Sequence, residues 1–367
     1  MLDALYRILA LPLTWFYDFT GNYVVAMILY AVLIKIVLFP FGMKQQKNMI
    51  KQASLRPKEM AIRKRYAGRN DKKTQMKMQE DLQKLYQSEN YNPMSGCGPM
   101  LIQLPVIWVL YRIVYGPLMY IVEMSSGLCQ KLADVATQIS GGNFSAKYQL
   151  QWINLIRDNF DSFKDVATDS GEKFSDFFPS LDSFNEFFNA FKIFGIDVSG
   201  KPWDSLTSIK DNGFTLLAVG MVLIPVLVFA SQYLSMKIVR KLSYQPVQDA
   251  QTAASMKIMD LAMPLMTLYM AFILPGILGI YWIVNSLLAI VQQVVLKKMY
   301  PIPQFTEEDY KAAERALKGS SKLQKQQKKE KVINPKSLHH IDDDDDDDGV
   351  AADDDEEEEE AEGDDFE

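Results

Sequence analysis

The sequence predicts an all-α fold: a polytopic membrane protein built as a five-span helical bundle, with a cytoplasmic helical hairpin and an amphipathic extracytoplasmic segment. Three observations carry this. Apolar runs recur at about 22–41, 98–122, 214–236, 259–274 and 276–296, each close to the length of a spanning helix. Charge alternates between them: residues 42–96 hold 13 Lys+Arg against 5 Asp+Glu, residues 235–257 hold 4 against 1, residues 297–331 hold 10 against 5, and residues 123–212 reverse the sign with 8 against 13. The positive-inside rule then places the three basic segments in the cytoplasm and the acidic one outside, with the N-terminus outside and the C-terminus inside. Finally, the net charge of −7 arises from a tail, 342–367, that carries 19 acidic and no basic side chains; without it the chain is basic.

Taken in order, residues 1–21 read as an interfacial helix. Leu2, Leu5, Leu9 and Leu13 share a helical spacing, and Trp15, Phe16 and Tyr17 follow closely. No clustered basic region or small-residue cleavage site marks a removable signal, so the helix is expected to be retained; an uncleaved signal anchor is the alternative. Residues 22–122 hold the first two spans, and the first contains a charge, Lys35, inside AVLIKIVLFPF. A lysine there costs roughly 2.5–3.5 kcal/mol on insertion scales. Lying about five residues from the cytoplasmic end, it either snorkels to the interface or meets a polar environment within the bundle.

The basic stretch 42–96 is rich in Lys, Gln, Met and Arg and is punctuated by GRND, so it reads as a helical hairpin. Leu55, Met60 and Ile62 on one arm, and Met76, Met78, Leu82, Leu85 and Tyr86 on the other, give each arm a thin apolar stripe. Met43, Met49, Met60, Met76 and Met78, in and around this hairpin, suit either ordinary packing or promiscuous apolar contacts. Residues 123–212 are too many for a bare loop. Phe174, Phe177, Phe178, Leu181, Phe184, Phe187, Phe188 and Phe191 predict an amphipathic helix bent at Pro179, with an interfacial helix favoured over a self-packed cap. Residues 213–298 hold spans three to five. Residues 299–367 read as a disordered tail, basic then acidic.

Among isolated polar groups, Arg112 is expected to snorkel outward or pair with a carboxylate, Asp260 to cap the fourth span, and Gln103 to hydrogen-bond between helices or line a groove. Cys97 and Cys129 fall on opposite faces of the predicted topology and cannot pair. Nucleotide-binding loops and hydrolase motifs are missing, and the two histidines, His339 and His340, both lie in the tail without fixed metal-ligand spacing. Nothing points to an enzyme, a cofactor or a metal. Anionic headgroups are a simpler partner for the basic hairpin than nucleic acid, and specific DNA binding is not expected.

The stretch NPMSGCGPMLIQLPVIWVLYRIV (92–114), the Lys-bearing first span ending in FPF, MDLAMPLMTLYMAFILP (259–275) and LPGILGIYWIVNSLLAIVQQ (274–293) together resemble the YidC-type membrane protein insertases, kin of the mitochondrial Oxa and chloroplast Alb insertases. The resemblance covers about 22–122 and 213–298, in a short form without the large periplasmic domain. It implies five spans around a hydrophilic groove open to cytoplasm and lipid. Lys35 matches the groove's basic residue, which many members carry as arginine; Gln103, Tyr281, Trp282 and Asn285 match groove or near-groove positions, with Trp282 replacing a tyrosine. The implied activity is insertion and folding of small membrane proteins without nucleotide hydrolysis, in a bacterial cell membrane. Its partners would be newly made membrane proteins, the bilayer, the ribosome and the Sec translocon. An ion or solute transporter or channel, or an accessory assembly factor of the translocon, is the alternative; no repeat of span patterns supports the transporter.

Overall fold

The computed structural model describes residues 2–69, 71–92, 98–245 and 250–319. The PMSGC segment (93–97), both histidines and the acidic tail lie outside these residues. The described chain is almost wholly helical. Three helices are long and apolar enough to cross a membrane, Tyr23–Ser54, Leu216–Leu242 and Gly276–Met299; shorter apolar helices occupy 105–115 and 258–273. The last two belong to longer helices, Gly98–Tyr115 and Ala250–Ile273. Leu216–Leu242 packs on both later helices, and Gly276–Met299 packs in turn on Tyr23–Ser54.

The helix Tyr23–Ser54 begins where Gly21, at φ +62, turns the chain back from the N-terminal helix Leu2–Thr20. Asn22 Oδ1 accepts the N–H groups of Val24 and Val25 at 3.0 and 3.1 Å. Its 32 residues extend about 48 Å at the usual rise, well beyond a hydrocarbon core of about 30 Å. Residues 42–54 of the expected hairpin therefore continue the span itself, and the hairpin proper is Arg56–Tyr66 and Lys72–Ser88. In the N-terminal helix, Ala10 and Leu13 are buried against the bundle, while Ile8, Leu11, Trp15 and Phe19 form the exposed apolar stripe. The stripe expected from the leucines is, at Leu13, the inward face.

The hairpin has a thin apolar core, supplemented by polar contacts between its arms such as the Tyr66 hydroxyl donating to Asp81 at 2.7 Å. Leu55, Ile62 and Leu82 are buried, whereas Met60 and Met76 are exposed. Between the arms Glu59, only 2% exposed, accepts the Tyr86 hydroxyl at 2.9 Å. Burial pushes the Glu59 carboxyl above the usual glutamate range, outweighing Tyr86 and the nearby Arg63 and Arg56. An acid whose folded pKa is raised loses stability as pH climbs through that interval, because folding then buries a charge. Glu59→Gln keeps the acceptor for Tyr86 and removes the charge. It is expected to slow proteolysis between the two arms relative to wild type near neutral pH, and the two proteins should converge as pH falls below about 4.3.

Beyond the last span, residues 307–319 form a helix that Lys64 and Arg65 hold against the hairpin, through Glu314 at 2.8 Å and the Leu317 carbonyl at 3.5 Å. The unstructured tail expected from residue 299 is corrected accordingly.

At the opposite end of the bundle, residues 123–212 form a cap. Here the expected interfacial helix gives way to two short helices, Phe174–Phe177 and Leu181–Asn189, broken around Pro179. Phe174, Phe184, Phe187, Phe188 and Phe191 are all buried, packed on Trp152, Phe160 and Phe163. The three- and four-residue spacing marks a core face, because the surrounding short helices supply a surface to pack against. A two-residue turn joins β1 (Lys192–Ile193) to β2 (Ile196–Asp197), which lies on Leu216–Leu242. The cap also completes the spans: carbonyls of Ala190, Gly200 and Val198 accept the N–H groups of Tyr23, Gly276 and Ile277 at 3.0, 2.9 and 2.9 Å. These are helix-start donors with no partner inside their own helices.

Candidate functional site

Burial along the spans divides the bundle into layers. In the half next to the cap, Tyr23, Val24, Ala26, Met27, Tyr30 and Ala31 of the first span are buried, as are Ile277, Leu278 and Tyr281 of the last. The helix Gly98–Tyr115 joins them there through Leu110, Ile113, Val114 and Tyr115. Further from the cap this packing lapses. No side chain is buried over residues 32–41, 105–109, 229–234 or 287–292, each on a different helix. Lys35 sits half-buried in that layer, between Ile34 and the exposed Ile36 and Val37, and makes no ion pair among the described residues.

At the hairpin end the first and last spans close again. Gln293 Nε2 donates to Gln46 Oε1 and Gln46 Nε2 to the Tyr300 carbonyl, both at 3.2 Å, with both glutamines buried. Gly42 leaves room for the Gln292 side chain, which any Cβ there would displace. These glutamines were not singled out from the sequence. Their signal was a pair of QQ doublets, 45–46 and 292–293, in helices whose other faces are apolar. This chain of amide hydrogen bonds, from Gln293 to Gln46 to the Tyr300 carbonyl, is buried and ties the first and last spans in one register. Ser235 adds a link from the helix Leu216–Leu242 to the Ser286 carbonyl at 2.9 Å.

Of the residues expected in the site, Trp282 and Asn285 are half-buried on the last span, which packs on the helix carrying Lys35. Tyr281, 3% exposed, belongs to the sealed core beside the cap. Gln103 lies on the helix Gly98–Tyr115. Arg112 does not snorkel and meets no carboxylate among the described residues: its guanidinium donates to the Lys147 carbonyl at 2.5 Å and lies over the Tyr120 ring. Burial of its charge is thus matched by a cap carbonyl and an aromatic face. Asp260 does not cap its helix, which begins at Ala250, but accepts from both guanidinium nitrogens of Arg240 on the helix Leu216–Leu242.

That pair is only partly shielded, with side chains 38% and 23% exposed. Asp260→Ala is therefore expected to cost about 1 kcal/mol, not the 3–5 kcal/mol of a fully buried pair. Thermal unfolding in detergent micelles checks this, and the exchanged pair Arg240→Asp with Asp260→Arg should recover most of the loss.

The family described as 60Kd inner membrane protein matches residues 15–304, from the end of the N-terminal helix to just beyond the last span. The chain belongs to this family. Relatives of the 60Kd inner membrane protein family include the membrane protein insertase YidC of Brucella suis, 42% identical over 101 residues, which are 28% of this chain and 16% of the relative. That of Aquifex aeolicus is 36% identical over 113 residues, 31% of this chain and 22% of the relative. Membrane protein insertase YidC 2 of Listeria innocua is 38% identical over 103 residues, 28% of this chain and 36% of the relative. The matched stretch thus spans well under half the length of each. An all-α inner membrane protein of a bacterial plasma membrane is what the family and the apolar helices agree on.

Proposed function

We propose that this chain is a membrane protein insertase and chaperone that acts without nucleotide hydrolysis. All five apolar helices cross the bilayer in this reading, with the hairpin end in the cytoplasm, as its basic charge favours, and the cap outside. The observation that carries the proposal is the position of Lys35: a half-buried ammonium without an ion-pair partner among the described residues, in a layer where no side chain is buried, beneath a half sealed by the cap.

Such a layer admits water, which lowers the penalty of the lysine and leaves its charge available. A passenger's hydrophilic tail enters from the cytoplasm, its acidic groups favoured by Lys35. Trp282 and Asn285 line the path, Gln103 contributes from the second span, and Tyr281 forms its floor. The passenger's apolar segment meanwhile partitions into lipid beside the bundle. Hydrophobic transfer drives the step, and moving an acidic residue to a positive exterior adds about 2.3 kcal/mol per charge per 100 mV. On the cytoplasmic side the basic hairpin and the Lys-rich 316–331 segment are suited to a ribosome or the Sec translocon.

Liposomes reconstituted with the purified protein alone, without nucleotide or Sec components, test this. A small single-span passenger with an acidic tail should gain protease protection above that in empty liposomes. Insertion only with the Sec translocon present would make the chain an accessory factor, and solute flux without insertion would make it a transporter.

A further inference from the structure

The β1–β2 turn consists of Phe194 and Gly195, both with positive φ, at +50 and +80. A two-residue hairpin of this kind favours Asn or Asp followed by Gly, and a bulky residue at positive φ is strained. Phe194 occupies that position 94% exposed, so no contact among the described residues compensates the strain. Nor does it stand alone. Gly195 lies against Leu217 at the start of the third span, and Phe214 and Leu216, each 88% exposed, flank the same first turn. The exposed apolar surface then continues along the span through Val219 and Leu223.

We propose that the Phe194 turn inserts into the bilayer leaflet at the cap end, forming with Phe214, Leu216 and Leu217 a hydrophobic foot that seats the cap on lipid. The inference rests on reading Leu216–Leu242 as a membrane span, and the patch is continuous with that helix's lipid-facing side. Lipid answers both features: it takes up an apolar ring that the protein leaves uncovered, and it supplies the environment in which phenylalanine outperforms the asparagine that the turn itself would favour. The Phe run of the cap, by contrast, is buried in the protein core and leaves Phe194 as the contact with the leaflet.

Nitroxide labelling in reconstituted bilayers tests the foot, in a Cys97→Ser background. Cys129 is buried, and burial pushes its thiol up to about 12, so it does not compete for the label. Labels at Phe194→Cys, Leu223→Cys and Asp169→Cys are compared by their collision rates with oxygen, which concentrates in lipid, and with a water-soluble nickel chelate. The Asp169 side chain is 98% exposed on the cap and provides the aqueous reference. The expected result is an oxygen-to-nickel ratio at Phe194 several-fold above that at Asp169 and approaching that at Leu223. A ratio at Phe194 equal to that at Asp169, with Leu223 lipid-like, overturns the foot and leaves the span reading intact. An aqueous ratio at Leu223 overturns the span reading and the foot with it.

Discussion

Phe184→Ala is expected to destabilise the cap by about 3–5 kcal/mol, the range for deleting a fully buried aromatic ring. Phe184 is 0% exposed, and its ring lies 5.1 Å from Phe178 and 6.1 to 6.4 Å from Phe160, Phe174 and Phe187. Its removal leaves a void among side chains held on short helices, which have little regular structure of their own to resist opening. The consequence reaches the spans, because the cap carbonyls serve the first N–H groups of two of them. Hydrogen exchange should therefore show lost protection across 153–191 and also at Tyr23, Gly276 and Ile277. Leu181→Ala, on the same helix but 40% exposed, should change protection by no more than about 0.5 kcal/mol. Equal effects of the two substitutions would mean that the Phe cluster does not organise the cap.

On the proposed insertase reading, Lys35→Glu should reverse the charge preference of the insertion step. A unit charge pair about 4 Å apart at an effective dielectric of about 20 is worth about 4 kcal/mol. A transient encounter with a mobile tail keeps a fraction of this, and a loss of about tenfold, or about 1.4 kcal/mol, is expected for an acidic-tailed passenger. Lys35→Ala should fall between wild type and Lys35→Glu. For a passenger whose tail carries lysines instead, the order should invert, an outcome that a merely misfolded variant cannot produce. Indifference of both passengers to both variants would return Lys35 to the role of a snorkelling residue.

Much of this architecture was legible because it follows from the cost of placing backbone and charge in lipid. Long apolar runs and alternating loop charge required no tertiary information, and the resemblance of LPGILGIYWIVN and its companion segments pointed to the family. What escaped was decided by partners distant in sequence. The Phe run 174–191 has the periodicity of an amphipathic helix, and periodicity alone does not say whether the apolar face meets lipid or protein; residues 144–163 decided that. Asp260 looked like a helix cap until Arg240, twenty positions away, placed a guanidinium beside it. Arg112 found its acceptor in the backbone carbonyl of Lys147, a group with no sequence signature. Gln46 and Gln293, 247 residues apart, are ordinary polar residues until the first and last spans are packed together. Helix 307–319 was lost in a segment whose composition is dominated by charge.

The most direct test of the proposed hydrophilic path is site-specific photocrosslinking to a passenger held part-way through insertion, with its hydrophilic tail carrying a detectable tag. A photoreactive side chain replacing Asn285 or Trp282, on the last span, should capture the tail. The same group replacing Met266, which is 69% exposed on the fourth apolar helix, should capture lipid or the passenger's apolar segment and not the tail. Capture of the tail at Met266 but not at Asn285 or Trp282 would contradict a hydrophilic path beside Lys35.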